Sequence, residues 1–134
     1  MNSIFYSMKY EIPAMLAAGG GAIVNMSSDL GSVGLPMASA YTAAKHGVVG
    51  LTKAAAIEYA IGGGRINAVG PGWIDTSFST HISDQFLRRI LGNQPIGRLG
   101  TPREVAGLVC FLLSDQAGFV SGSYHPVDGA YTAH

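Results

Sequence analysis

Cysteine is nearly absent: the 134-residue sequence holds one, Cys110, inside the apolar run Leu108-Val109-Cys110-Phe111-Leu112-Leu113. A lone thiol forms no internal disulfide and argues against a metal cluster, so a buried structural cysteine is expected. Charge is scarce as well. Only 12% of residues are charged, eight basic against eight acidic, for a formal net charge of zero. The basic residues are scattered, which speaks against nucleic acid or an anionic lipid surface and favours small neutral partners. No apolar run approaches the roughly 18 residues of a membrane span, and residues 1–9 lack a basic segment followed by an apolar core, so no membrane partner and a cytoplasmic location are expected. His81, His125 and His134 share no close spacing with one another or with the cysteine, so no metal site is expected. Nor is there an internal repeat, low-complexity tract or linker, and residues 1–134 read as one continuous layer structure.

What the sequence does contain is an alternation of helix and strand. Phe5, Met8, Ile12, Met15 and Leu16 recur at helical spacing over residues 5–18, and Gly19-Gly20-Gly21 stops them. Ala22-Ile23-Val24-Asn25-Met26-Ser27 then reads as a nearly continuous apolar strand, the kind found where helices cover both faces of a parallel sheet. A second helix is expected over residues 39–60, with small residues such as Ala43, Gly47, Gly50 and Ala54. A helix this apolar all round is expected to be buried on two sides, one on the sheet and one against a second subunit of a homo-oligomer. Gly62-Gly63-Gly64 ends it, Arg65-Ile66-Asn67-Ala68-Val69 forms a second strand, and Gly70-Pro71-Gly72 is expected to break that strand. Residues 73–99 read as a long loop with a short helix. Thr101-Pro102-Arg103-Glu104 carries the cap, proline and acid of a helix start, for a helix running to about residue 113, and residues 124–127 make a last strand.

Tyr41 and Lys45 stand four apart on the second helix, so their side chains share one face. A tyrosine titrates near pH 10 in isolation, and a neighbouring ammonium favours its charged form, which makes the phenol usable as an acid or base. Taken alone, Tyr-x-x-x-Lys recurs by chance on many solvated helices. Ser28, thirteen residues before Tyr41, changes the weight of the pair, because it closes a buried strand, where α/β proteins expose ligand-binding groups. His46 follows Lys45, but adjacent helix positions point about 100 degrees apart, and it reads as structural.

Three ordered motifs now carry a specific resemblance: Ile23-Val24-Asn25-Met26-Ser27-Ser28, Tyr41-Thr42-Ala43-Ala44-Lys45-His46-Gly47, and Arg65-Ile66-Asn67-Ala68-Val69-Gly70-Pro71-Gly72. With Gly97-Arg98-Leu99-Gly100-Thr101-Pro102-Arg103-Glu104 and Val127-Asp128-Gly129, they make the sequence similar to the short-chain dehydrogenase/reductases over essentially its whole length. The resemblance implies an α/β fold corresponding to the C-terminal half of a Rossmann-type doubly wound parallel sheet, without the N-terminal dinucleotide-binding half. It implies an oxidoreductase that interconverts a secondary alcohol and a ketone with NAD or NADP. Tyr41 would transfer the proton to or from the substrate oxygen, Ser28 would hydrogen-bond that oxygen, and Lys45 would assist Tyr41 and bind the nicotinamide ribose. Pro71, Gly72, Ile74 and Thr76 match the segment that holds the nicotinamide carboxamide.

The departures are equally specific. The family's Thr-Gly-x-x-x-Gly-x-Gly turn between a strand and a helix is not found here, and Gly19-Gly20-Gly21 follows a helix and precedes a strand, the reverse of the order phosphate binding needs. The residues that separate NAD from NADP normally lie about 20 positions after that turn, which leaves both open. Asn2 falls about two positions late for the family's active-site asparagine. Gly70 stands where alanine is common, and Ala130 where a second glycine is common. The first strand is expected to leave an apolar edge over residues 22–26 unpaired, which predicts poor stability or an oligomer that covers it. A non-catalytic truncated fragment retaining the oligomerisation helices is the alternative reading. Trp73, Phe78, Phe86 and Leu87 are candidates either for a substrate pocket or for capping the core, and they leave acyl, steroid, sugar and small-ketone substrates open.

Overall fold

A computed structural model describes residues 1–77 and 83–133; Phe78, His81 and His134 lie outside them. Helix α1 (Asn2–Ala17) leads into β1 (Gly21–Met26), α2 (Ser39–Tyr59) into β2 (Gly64–Pro71), and α3 (Asp84–Gly92) and α4 (Pro102–Leu113) precede β3 (Tyr124–Val127). The three strands are parallel in the order β1-β2-β3, with Ile23 opposite Ile66, Met26 opposite Val69 and Ala68 opposite Tyr124.

Side chains alternate across a strand, and β2 uses both faces. Ile66 packs with Met8 and Ile12 of α1 and Ala55 and Ala56 of α2, while Val69 packs on the other face with Val105 and Leu112 of α4. Helices therefore cover both faces, which explains why β2 is buried almost throughout and reads as an apolar run. Two buried asparagines tie the layers together. Asn25 donates to Thr52 Oγ1 of α2 at 2.9 Å, and Asn67 donates to Val120 O at 2.8 Å while accepting from Ser123 N at 3.1 Å. The Arg65 guanidinium donates to Leu112 O and Ser114 O at 2.7 and 3.0 Å, satisfying carbonyls at the C-terminus of α4. Among the described residues no helix is long and apolar enough to cross a membrane.

The expected element order is present, with differences at Gly70 and at Cys110. The second strand does not break at Gly70 but runs to Pro71, because Gly70 and Pro71 pair with Pro126 and Val127 of β3. Helix α2 buries Val48, Val49, Thr52, Ala55 and Ala56, whereas its opposite side, with Ala43, Gly50, Ala54 and Ile57, is exposed in the single chain. Cys110 is exposed, not buried. The apolar run around it is helical and buries the face of Val105 and Leu112, and Cys110 lies about 160 degrees around the helix from Leu112.

Candidate active site

The site forms where the C-terminal ends of the strands meet the start of α2. The backbone ladder continues one residue past β1, with Ser27 N donating to Val69 O at 2.8 Å, so Ser28 is delivered at the sheet edge in extended conformation. A short turn, Asp29–Gly31, follows, and Gly31 N donates to Ser28 O at 2.8 Å. Gly31 is required for close approach here: a Cβ on it would lie 2.5 Å from Ser27 Oγ and 3.3 Å from Lys45 O.

Tyr41 and Lys45 project from the first two turns of α2. Lys45 Nζ lies 5.5 Å from the centroid of the Tyr41 ring and donates to Met26 O at 3.1 Å, while Ser27 donates to Lys45 O at 3.0 Å. Both ends of Lys45 are thus tied to the end of β1, and burial pulls its ammonium pKa down from the ordinary 10.5. Ser28 and Tyr41 line one cavity of about 360 Å³, whose walls include Leu30, Leu35, Ala38 and Trp73. Tyr41 is 50% exposed, so its phenol reaches the opening.

The remaining expected residues are distributed around this core. Gly72 lines the cavity. Pro71 is the half-buried last residue of β2. Ile74 forms a parallel bridge with Gly100, and its side chain packs against the cluster of Val69, Val105 and Leu112. Thr76 is exposed beyond them. His46 turns to its own helix, with Nδ1 3.0 Å from Thr42 O. Trp73 and Phe86 meet edge to face at 5.7 Å between ring centroids; Trp73 walls the cavity, Phe86 is exposed and Leu87 is half-buried on α3.

Two further residues escaped the sequence reading. Asp29 is only 5% exposed, yet its Oδ1 lies 2.6 Å from Ser28 Oγ and accepts from Leu30 N at 2.7 Å. Burial pushes its carboxyl pKa up, the hydrogen bonds from Ser28 and Leu30 pull it down, and the nearby Asp128 carboxylate pushes it up again. Tyr124 of β3 donates from its hydroxyl to Ser28 O at 2.7 Å. Its ring occupies the space in front of Gly70, where a Cβ would lie 2.5 Å from Tyr124 Cε2 and Cζ. An acid beside a strand-end serine is a visible signal for Asp29. Tyr124 is visible only once the register of β3 on β2 is known.

A family profile described as enoyl-(acyl carrier protein) reductase matches residues 1–132. The chain belongs to the short-chain dehydrogenase/reductase family. It is 57% identical over 133 residues to cyclohexanol dehydrogenase of Acinetobacter sp. (strain SE19), which covers 99% of this chain and 52% of that protein. It is 50% identical over 125 residues to cis-4-hydroxycyclohexanecarboxylate dehydrogenase of Sinomonas cyclohexanicum, covering 93% of this chain and 50% of that one. Among solved structures it is similar to a putative 2-deoxy-D-gluconate 3-dehydrogenase from Agrobacterium tumefaciens with bound NADP. The TM-score is 0.94 at 37% identity, over 100% of this chain and 56% of that one. The chain spans about half the length of the curated relatives it matches.

Proposed function

We propose that this short-chain dehydrogenase/reductase chain carries the catalytic residues of an NAD(P)-dependent oxidoreductase that interconverts an alicyclic secondary alcohol and its ketone. The observation that carries the reading is the shared cavity: Ser28 and Tyr41 line the same largely apolar space, with the Lys45 ammonium 5.5 Å from the Tyr41 ring. Leu30, Leu35, Ala38 and Trp73 suit a hydrocarbon ring better than a charged or heavily hydroxylated substrate. The relative named for cyclohexanol points to the same substrate class, and the one named for hydroxycyclohexanecarboxylate shares the alicyclic ring but adds a carboxylate.

In this reading the Tyr41 hydroxyl gives its proton to the substrate oxygen during ketone reduction and takes it back during alcohol oxidation. The Ser28 hydroxyl donates to the same oxygen, where negative charge gathers as the bond order changes. The positive charge of Lys45 steadies the phenolate left when the proton departs. A bound nicotinamide supplies or accepts the hydride. The residues present suit its nicotinamide-ribose end: Lys45 offers ammonium donors beside Tyr41, and Gly72, just past the end of β2, lines the cavity without a side chain. The exposed side of α2, with Ala54 and Ile57, would pair with a second copy in a cytoplasmic homo-oligomer.

One observation favours a second reading, a non-catalytic polypeptide: among the described residues β1 has a strand neighbour on one side alone. Nicotinamide fluorescence during titration with NADH and with NADPH separates the two. Binding of either, with cyclohexanol turnover that falls about 10²–10⁴-fold in Tyr41→Phe, is expected for the enzyme. Turnover untouched by Tyr41→Phe overturns the assignment of Tyr41, and binding of neither nucleotide supports the non-catalytic reading.

A further inference from the structure

We propose that Asp29 is a positioning residue whose own protonation decides whether the Ser28 hydroxyl hydrogen points into the cavity or back into the protein. The inference rests on the reading of Ser28 as a donor to the substrate oxygen, and it extends that reading to a group outside the serine, tyrosine and lysine set.

The geometry leaves one hydrogen for two oxygens. Ser28 Oγ and Asp29 Oδ1 are 2.6 Å apart, a short O–H···O contact of the kind made by ionised or strongly polar partners. Leu30 N donates toward both, at 2.7 Å to Oδ1 and 3.3 Å to Oγ, so the pair is clamped from the backbone side. An ionised carboxylate only accepts. Ser28 must then spend its single hydrogen on Asp29, and the cavity meets oxygen lone pairs. A neutral Asp29 carries the hydrogen itself and donates it to Ser28 Oγ, which frees the serine hydrogen for a substrate oxygen. No heavy atom has to move, because the Ser28 main chain is held by Gly31 N at 2.8 Å and by the Tyr124 hydroxyl at 2.7 Å.

Burial and the Asp128 carboxylate favour the neutral acid, against the hydrogen bonds from Ser28 and Leu30, which favour the carboxylate. Asp29 is nearly sealed from water, and the charge acting on it is a second carboxylate, Asp128, beyond the end of β3. Among the described residues three phenols lie by the pair: Tyr124 against the Ser28 carbonyl, and Tyr41 and Tyr131 on the cavity wall. The Lys45 ammonium donates to Met26 O and is not among the groups that shift Asp29. Burial is the largest influence on Asp29 and raises its pKa from the ordinary aspartate value, which extends the neutral form to higher pH. Donation from Ser28 is therefore present at low pH and is withdrawn as pH rises through the Asp29 titration.

Infrared titration of the chain with isotope-labelled aspartate reads the coupling directly, without cofactor or turnover. One protonated carboxyl band is expected to persist above the ordinary aspartate range, to vanish in Asp29→Asn, and to titrate at still higher pH in Ser28→Ala, where the hydroxyl that stabilises the carboxylate is gone. Coupling is reciprocal, so a midpoint shift in Ser28→Ala measures how firmly ionised Asp29 holds the serine hydrogen. A midpoint that stays in place in Ser28→Ala, or no aspartate titrating above the ordinary range, overturns the proposal. Asp29→Asn supplies a second arm, since its amide N–H donates to Ser28 Oγ as the neutral acid does. The pH profile of kcat/KM for cyclohexanol is expected to lose the Asp29 step in that variant, and an unchanged profile counts against the coupling. Failure of the oxidoreductase reading shows instead as turnover indifferent to Tyr41→Phe, whatever the infrared titration gives.

Discussion

Gly70→Ala is a small change that the structure makes expensive. An alanine Cβ at this position would lie 2.5 Å from Cε2 and Cζ of the Tyr124 ring, closer than carbon atoms tolerate. The ring has little freedom to yield: Ala68 is paired with Tyr124 in the β2–β3 ladder, and the hydroxyl is bonded to Ser28 O at 2.7 Å. Overpacking of this kind costs about 1–3 kcal/mol. For a chain of 134 residues each kilocalorie lowers Tm by roughly 4 °C, so a fall of about 4–12 °C is expected. The three atoms nearest that Cβ all belong to Tyr124, so the same substitution in a Tyr124→Val background should be close to neutral. The pair is then non-additive by about 1–2 kcal/mol in a double-mutant cycle, within the range seen for side chains in contact. Urea unfolding of the four proteins, at constant m, measures the cycle. If Gly70→Ala costs the same with tyrosine or valine at position 124, the ring is not what excludes alanine and the reasoning fails.

Two other expectations follow from single groups. The Glu104 carboxylate accepts from Arg98, from Thr101 N and from Thr101 Oγ1, and these hold its pKa at about 2. A depressed acid contributes stability that is complete above its unfolded pKa and is lost as pH falls through the folded one. Thermal unfolding between pH 5 and about 2 is therefore expected to show a wild-type loss that Glu104→Gln lacks; identical pH dependence of the two proteins would refute the assignment. Cys110 is exposed, so a colorimetric thiol reagent is expected to modify one equivalent in the native chain without denaturant, and protection until unfolding would contradict the structure.

Most of the fold was legible because local chemistry and tertiary demands agree. Thr101-Pro102-Arg103-Glu104 announces the start of α4, and the structure makes both halves of the capping box at that position. The glycine triplets end helices as expected, and Gly19, Gly20 and Gly63 adopt positive φ. What stayed hidden depends on register and on which side of an element faces the protein. The strand β2 runs past Gly70 because β3 lies beside it, a fact no local window contains. Cys110 sits in a run that is apolar on every side, while α4 buries one stripe of it. The expected set of Ser28, Tyr41 and Lys45 could be placed on a strand end and a helix face from spacing alone. Their mutual approach required the bonds from Lys45 to Met26 O and from Ser27 to Lys45 O.

The departure at Gly70 acquires a physical reason in this light. Read by itself, a glycine where alanine is common looks remote from the chemistry. In the structure it vacates the space that the Tyr124 ring fills, and the Tyr124 hydroxyl then reaches across the sheet to the Ser28 carbonyl. That carbonyl also accepts from Gly31 N, so the turn that presents Ser28 and Asp29 is fixed at one atom from two directions. A side chain on the third strand thus restrains a serine at the end of the first, across the width of the sheet. The missing Cβ on β2 is the condition for that restraint, which makes Gly70 and Tyr124 a pair whose residues must change together if the geometry around Ser28 is to be kept.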